Sequence, residues 1–209
     1  MAADQPAKAP TRIQQERRDA ILEAALSVFS GEGFRAATVD RIAEAAGLSK
    51  PNLLYYYPSK EAIHRALLDR LLDAWLDPLR AIDADGEPLS EIRAYMRRKL
   101  ELARDYPRES RLFANEMLRG APHMTDAFAD LKALVDEKAA VIAGWMSEGR
   151  LARTDPHHLI FSIWATTQHY ADFDVQVRAV LGPGKDGEAR FEDAARTLDR
   201  LYLEGLRPR

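Results

Sequence analysis

Residues 38–57, TVDRIAEAAGLSKPNLLYYY, constrain the fold more than any other stretch of the chain. Thr38 is placed to cap a short helix, VDRIAEAA, that ends at Gly47. Ser49 is placed to cap a second, KPNLLYYY, with Pro51 in its first turn, where a missing N–H costs little. Two short helices joined by Gly47-Leu48-Ser49 match the helix-turn-helix, in which glycine takes backbone angles that other residues avoid. Val39, Ile42, Ala43, Ala46, Leu48 and Leu53 are spaced to bury the pair against a preceding helix, and small Ala43 permits a close approach. Ser49, Lys50, Asn52, Tyr55 and Tyr56 are left facing outward. A helix bearing hydroxyls, an amide and a lysine suits the major groove of duplex DNA, where asparagine can read an adenine edge and hydroxyls can meet phosphates. Tyr55, Tyr56 and Tyr57 cannot all lie in a core, so at least one is spare for such a surface. Lys60 opens the next helix and brings an ammonium and a helix N-terminus towards a phosphate. The plainer reading, a helical hairpin with a polar outer face, leaves the tyrosines and Lys60 without a role.

Helical periodicity continues through the rest of the chain. Residues 1–11, rich in Ala, Pro and Lys, read as a disordered tail. Ile21, Leu22, Ala25, Leu26, Val28 and Phe29 recur at helical spacing from Arg12 to Ser30, and Gly31 and Gly33 are expected to stop that helix. Pro58 ends the helix-turn-helix, and Ser59 caps a longer helix expected to reach about Asp77, before Pro78. Further helices are expected over 88–105, 108–119, 123–149, 156–180 and 188–206, with Asp155-Pro156 a strong start signal. Nothing alternates with period two over a useful length, so no sheet is expected. The spacing therefore predicts an all-α fold of about nine helices: a tail over 1–11, a three-helix DNA-binding domain over 12–58, and a helical ligand-binding and dimerisation domain over 59–209. The last helix carries a one-sided stripe of Phe191, Ala194, Ala195, Leu198, Leu201, Tyr202 and Leu206. The helix before it is apolar nearly all round, so its own core covers one face and a second copy of the chain is the expected cover for the other.

Composition narrows the function class. The 209 residues are 46% hydrophobic and 30% charged, ordinary for a globular protein, and contain no cysteine. Disulfides and thiolate metal sites are excluded, and a cytoplasmic home is expected. MAADQPAKAPTR has no apolar stretch for a secretory signal, and LIFSIWA falls well short of a membrane span, so no membrane partner is expected. Net charge is −3, with +1 over residues 1–60 and −4 over the remainder, an asymmetry too weak to argue for nucleic acid without the motif. His157-His158 looks like a metal pair, yet adjacent helical residues point about 100° apart. His169 beside Asp172 lacks any accompanying nucleophile, and no glycine-rich phosphate loop is present. No catalytic residue, metal or cofactor is expected, and the chain does not read as an enzyme.

The stretch from Ile21 to Ala62, including FSGEGFRAATVDRIAEAAGLSKPNLLYYYPSKEAI, resembles the TetR family of one-component transcription regulators. Thr38, Leu53, Tyr55, Tyr56 and Lys60 match the family's helix-opening threonine, its leucine-aromatic-aromatic run and its following lysine. Leu54 departs from the pattern, standing where members often carry a DNA-touching tyrosine. Further along, WLDPL, RDYPRESRLFANEML, LKALVDEKAAVIAGWM and DPHHLIFSIWATTQHYADF resemble a regulator of pyrimidine utilisation within that family. The resemblance implies a homodimer closed by the last two helices, a palindromic double-stranded DNA operator, and a pocket for a small-molecule effector, uracil or thymine. A family member serving another pathway, with a different flat or apolar ligand, is the alternative.

A pyrimidine base needs ring-sized surfaces for its faces and donor–acceptor pairs for its edge. Gln168 offers a carbonyl and an amide NH2, and Trp164 lies one turn earlier on the same helical face. Trp75 offers another wall, with Thr167, Asn115, Arg111 and Phe113 as further candidates. Trp75 and Trp164 read equally as plain core tryptophans, Gln168 as a hydrogen bond across a dimer interface, and Trp145 as core or surface without function.

Overall fold

A computed structural model describes residues 11–124, 127–182 and 187–208. Among them are ten helices and no strand: α1 Arg12–Ala36, α2 Val39–Ala45, α3 Lys50–Tyr56, α4 Lys60–Arg80, α5 Pro88–Asp105, α6 Pro107–Leu118, α7 Ala127–Ser147, α8 Pro156–Asp172, α9 Asp174–Leu181 and α10 Gly187–Leu206. None is long and apolar enough to cross a membrane. The expected tail lies outside the described residues except at Thr11, which is structured. Its hydroxyl accepts from the Gln14 N–H while the Gln14 side chain accepts from the Thr11 N–H at 2.8 Å, a capping box that starts α1.

The chain divides into two compact units between Leu67 and Leu68, within α4. In the first, Ile21, Leu22, Ala25, Leu26 and Phe29 of α1 meet Ile42 and Ala43 of α2 and Leu53 of α3, all buried. The opening turns of α4 belong to this core, because Ile63 and Leu67 are buried and the His64 ring packs 5.0 Å from Phe29 and 4.5 Å from Phe34. The expected stop of α1 at Gly31 is corrected. The helix passes through Gly31 and turns only at Gly33, with φ 77° and ψ 160°, before one more turn to Ala36. A mid-helix glycine costs about 1 kcal/mol against alanine, which the buried neighbours Leu26 and Phe29 outweigh. A left-handed φ is cheap only for glycine, and this places the bend at Gly33.

The second unit is built on α5, α7, α8 and α10, whose inward residues Ile92, Met96, Ile142, Ile160, Ile163 and Leu198 share one core. Trp145 belongs to it and donates its indole N–H to the Ala84 carbonyl at 2.9 Å. A smaller cluster joins Leu68, Leu72 and Leu76 of α4 to Ala121 and Met124. Two expected boundaries are corrected here. α4 continues through Pro78 to Arg80, because Arg80 bonds the Asp73 carbonyl and both the Asp73 and Asp77 carboxylates, while buried Leu79 anchors the turn. The single helix expected over 156–180 is two, broken at Phe173, with Asp174 opening α9 and gripping nearly buried Arg190 of α10 at 2.9 Å. Asp155 caps α8 through the His158 N–H as expected. On α10, Phe191, Ala194, Ala195, Leu198 and Leu206 are buried, but Leu201 faces outward from the stripe.

Candidate functional site

The helix-turn-helix presents its polar residues as the spacing predicts. Ser49, Lys50, Asn52 and Tyr55 are exposed, Tyr56 is half-buried, and Tyr57 is buried under the Arg18 guanidinium, 5.3 Å from its ring centre. Tyr55 stands 75% exposed, edge-on to Tyr56 at 5.2 Å, an aromatic with no core to fill. Leu54 beside them is half-buried. The Thr38 hydroxyl accepts from the Arg41 N–H at 3.3 Å, which caps α2 with a lone pair and leaves the O–H free to donate. Ser49 occupies the N-cap of α3 without a side-chain bond to it, so its hydroxyl is wholly available. Lys50 pairs with Asp40 at 2.9 Å across exposed surface, a contact worth at most about 1 kcal/mol and easily exchanged for another partner.

Lys60 is differently employed. Its ammonium donates to the Phe34 carbonyl at 2.8 Å and the Ala37 carbonyl at 2.9 Å, and lies 4.5 Å above the Phe34 ring. It thereby closes the carbonyls left open at the bend and end of α1.

Within the second unit, the expected pocket residues fall in different places. Trp75 is buried, and its indole N–H has no partner. Thr167 is buried with its hydroxyl turned back onto the Ile163 carbonyl at 2.7 Å. Gln168 is half-buried, and among the described residues its amide has no hydrogen-bond partner. Arg111, exposed, donates to the Ala171 carbonyl at 3.3 Å. Trp164 instead donates to the Tyr95 hydroxyl and lines a groove of about 360 Å³ with Phe128, Leu131, Val135, His157 and Phe161. Phe113 packs into the α4 cluster, and Asn115 is exposed. The adjacent histidines part as their spacing requires: His157 reaches Asp136 at 3.0 Å, while His158 meets the Phe161 ring.

Lys99, Ser110 and Tyr95 escaped the reading of the sequence, and Asp172 was weighed there only beside His169. Lys99 of α5 is 3% exposed, 5.3 Å from the Trp75 ring centre and 3.5 Å from the Trp75 carbonyl oxygen. Burial pushes its pKa down to about 7, opposed by the negative charge of Asp172. Asp172 is in turn raised by burial and accepts from the buried Ser110 hydroxyl at 2.6 Å. Burial also raises the Tyr95 phenol. Lys99 carried a signal, since it falls in register with Ile92, Met96 and Ala103 on the apolar stripe of α5.

Comparison with known proteins matches both units. Residues 21–67 match the family described as bacterial regulatory proteins, tetR family, and residues 68–209 the family described as YcdC-like protein, C-terminal region. The HTH-type transcriptional regulator RutR of Escherichia coli strain K12 is 53% identical over 200 residues, which cover 95% of this chain and 94% of RutR. A bacterial regulatory protein in the tetR family from Rhodococcus RHA1 aligns with a TM-score of 0.72 at 17% identity, over 93% of this chain and 98% of that one. AibR, solved in complex with isovaleryl coenzyme A and operator DNA, aligns with a TM-score of 0.67 at 20% identity, over 90% of this chain and 98% of that one. The two solved structures establish likeness of fold, and the RutR match extends likeness to sequence across nearly the whole chain. The chain belongs to the TetR family: it is a DNA-binding transcription regulator similar to RutR, and not an enzyme.

Proposed function

We propose that this regulator acts in the cytoplasm as a homodimer that binds a palindromic operator and is released from it by a pyrimidine base, uracil or thymine. The observation that carries the effector reading is a pair of buried donors poorly served in an apolar core, the Trp75 indole N–H without a partner and the Lys99 ammonium with one long bond; the half-buried Gln168 amide lies on a neighbouring helix. Buried polar groups are normally satisfied, so such a set is explained by a polar-edged, flat ligand that satisfies them. The resemblance of residues 156–173 to the regulator of pyrimidine utilisation supports the same ligand.

Dimerisation through α8 and α10 is supported by Phe161 and Leu201, which remain 46% and 65% exposed on these helices. Sedimentation should give about twice the 23.5 kDa of one chain. In the DNA unit, Thr38, Ser49 and Tyr56 supply phosphate contacts, Asn52 and Lys50 reach base edges, and Tyr55 adds an exposed ring. Lys60 serves DNA binding by fixing the end of α1, on which the helix-turn-helix rests. The effector prefers the DNA-incompetent state of the dimer, which couples the two ligands by about 1–3 kcal/mol.

The test is an operator-release assay with uracil, paired with calorimetry. Uracil should release DNA from the native protein, and Gln168→Leu should weaken uracil binding at least tenfold while still binding operator. No binding of uracil or thymine at millimolar concentration overturns the pyrimidine reading. The family assignment would be untouched.

A further inference from the structure

Lys99 is hard to account for as packing. An ammonium carries three donors and no acceptor. Here its one hydrogen bond, to the Trp75 carbonyl, lies at 3.5 Å, the outer limit of such a contact. The negative charge of Asp172 is felt by Lys99, yet among the described residues no hydrogen bond or ion pair joins them. A structural ion pair would need direct contact and good geometry to offset the cost of burying both charges. Asp172 is committed instead to the Ser110 hydroxyl. The Trp75 indole that Lys99 faces is itself buried, with an N–H that bonds nothing. Two unspent donors therefore meet beside one ring.

Placement adds a direction. Gln168 and Asp172 are one turn apart on the same face of α8, and α5, which carries Lys99, packs directly on α8. An amide of this kind can satisfy two neighbouring edge positions, one N–H and one C=O, and no more. The imide edge of uracil or thymine has three, carbonyl, N–H, carbonyl, with the second ring N–H lying beyond them. One carbonyl is left over, and only a donor can meet it.

We propose that Lys99 is a ligand-contacting residue whose ammonium holds the carbonyl that Gln168 leaves unpaired, so that the pocket selects cyclic imides over rings with a single carbonyl. The proposal rests on the pyrimidine reading and assigns a specificity role within that site. It also explains why a charge is kept in register with an apolar stripe: methionine or leucine would fill the space but offer the ligand nothing.

The test compares uracil with 2-pyrimidinone and 4-pyrimidinone, each lacking one carbonyl and one ring N–H but keeping an adjacent N–H and carbonyl for Gln168, on the native protein and on Lys99→Met, by calorimetry. The native protein should lose at least tenfold in affinity when one of the two carbonyls is removed. Lys99→Met should bind uracil at least tenfold more weakly, should no longer distinguish uracil from that pyrimidinone, and should melt no lower than the native protein without ligand. A merely structural lysine would lower melting when replaced and leave the discrimination between ligands intact. Uracil binding equal to native in Lys99→Met overturns the proposal and leaves the pyrimidine reading standing. Absence of uracil binding to the native protein overturns both. Should Lys99→Met fail to fold, the native protein still decides, because equal affinity for all three rings removes any need for a second carbonyl contact.

Discussion

Two lysines show how differently the two units use a cation. Lys60, half-buried in the DNA-binding unit, gives its protons to two carbonyls at 2.8 and 2.9 Å and rests over the Phe34 ring. Lys99, deeper in the second unit, has one bond at 3.5 Å and a pKa pushed down to about 7 by burial. One cation completes the fold around it. The other is held at a loss to the fold, which selection tolerates where a ligand supplies the missing partners.

The contrast breaks most readily under matched substitution. Lys60→Met should cost about 1–3 kcal/mol, because it strands the Phe34 and Ala37 carbonyls. Lys99→Met should raise stability by about 1–4 kcal/mol, since a buried charge gives way to an apolar chain of similar length. Urea unfolding of both variants checks the opposite signs, and two losses of equal size would erase the distinction. Acidity sharpens the second half. Unfolded, Lys99 keeps its proton up to the ordinary value of 10.5; folded, it loses the proton from about 7. Between those values unfolding takes up a proton, so rising pH favours the folded native protein. The advantage of Lys99→Met should therefore be largest below pH 7 and shrink as pH climbs towards 10. A gap independent of pH would mean the lysine is not strained by its charge.

Smaller effects are expected on the DNA surface. Asn52→Ala should lower discrimination at one base position by about 1–3 kcal/mol without affecting others. Lys50→Ala should leave melting nearly unchanged, because its pair with Asp40 is exposed, and lower discrimination at a second base position. Binding titrations across operator variants check both, and uniform weakening on every operator would place the residues on the phosphates.

The helix-turn-helix was legible because local chemistry decides it: Thr38 caps α2 as its position predicts, Gly47 turns, and Ile42, Ala43 and Leu53 bury as spaced. Even the count of spare tyrosines follows, since one ring is buried, one half-buried and one exposed. The break at Phe173 was not legible. No glycine or proline marks residues 157–181, and the grip of Asp174 on Arg190 is a tertiary event with no local trace. Pro78 misled for a similar reason, as the helix survives it through the three contacts of Arg80. The proposed pocket was half legible. Trp75 and Gln168 stood out as unusual residue types, whereas Lys99 was camouflaged in RRKLELAR, where a cation reads as surface until its register with Met96 and Ala103 is counted. Trp164 shares a face with Gln168 by spacing, yet its indole is drawn to the Tyr95 hydroxyl.

The division of the chain inside α4 has a bearing on recombination. A gene fusion that swaps sensory halves at Pro58-Ser59, where the sequence invites a junction, would separate α1 from Ile63, His64 and Leu67, which complete its core. The transplanted reading head would arrive with an open flank. A crossover after Leu67 keeps that flank closed but must preserve helical phase, because one residue gained or lost turns everything downstream by about 100°. Exchange of sensors between relatives of this protein is therefore restricted to splices that conserve the length of this helix.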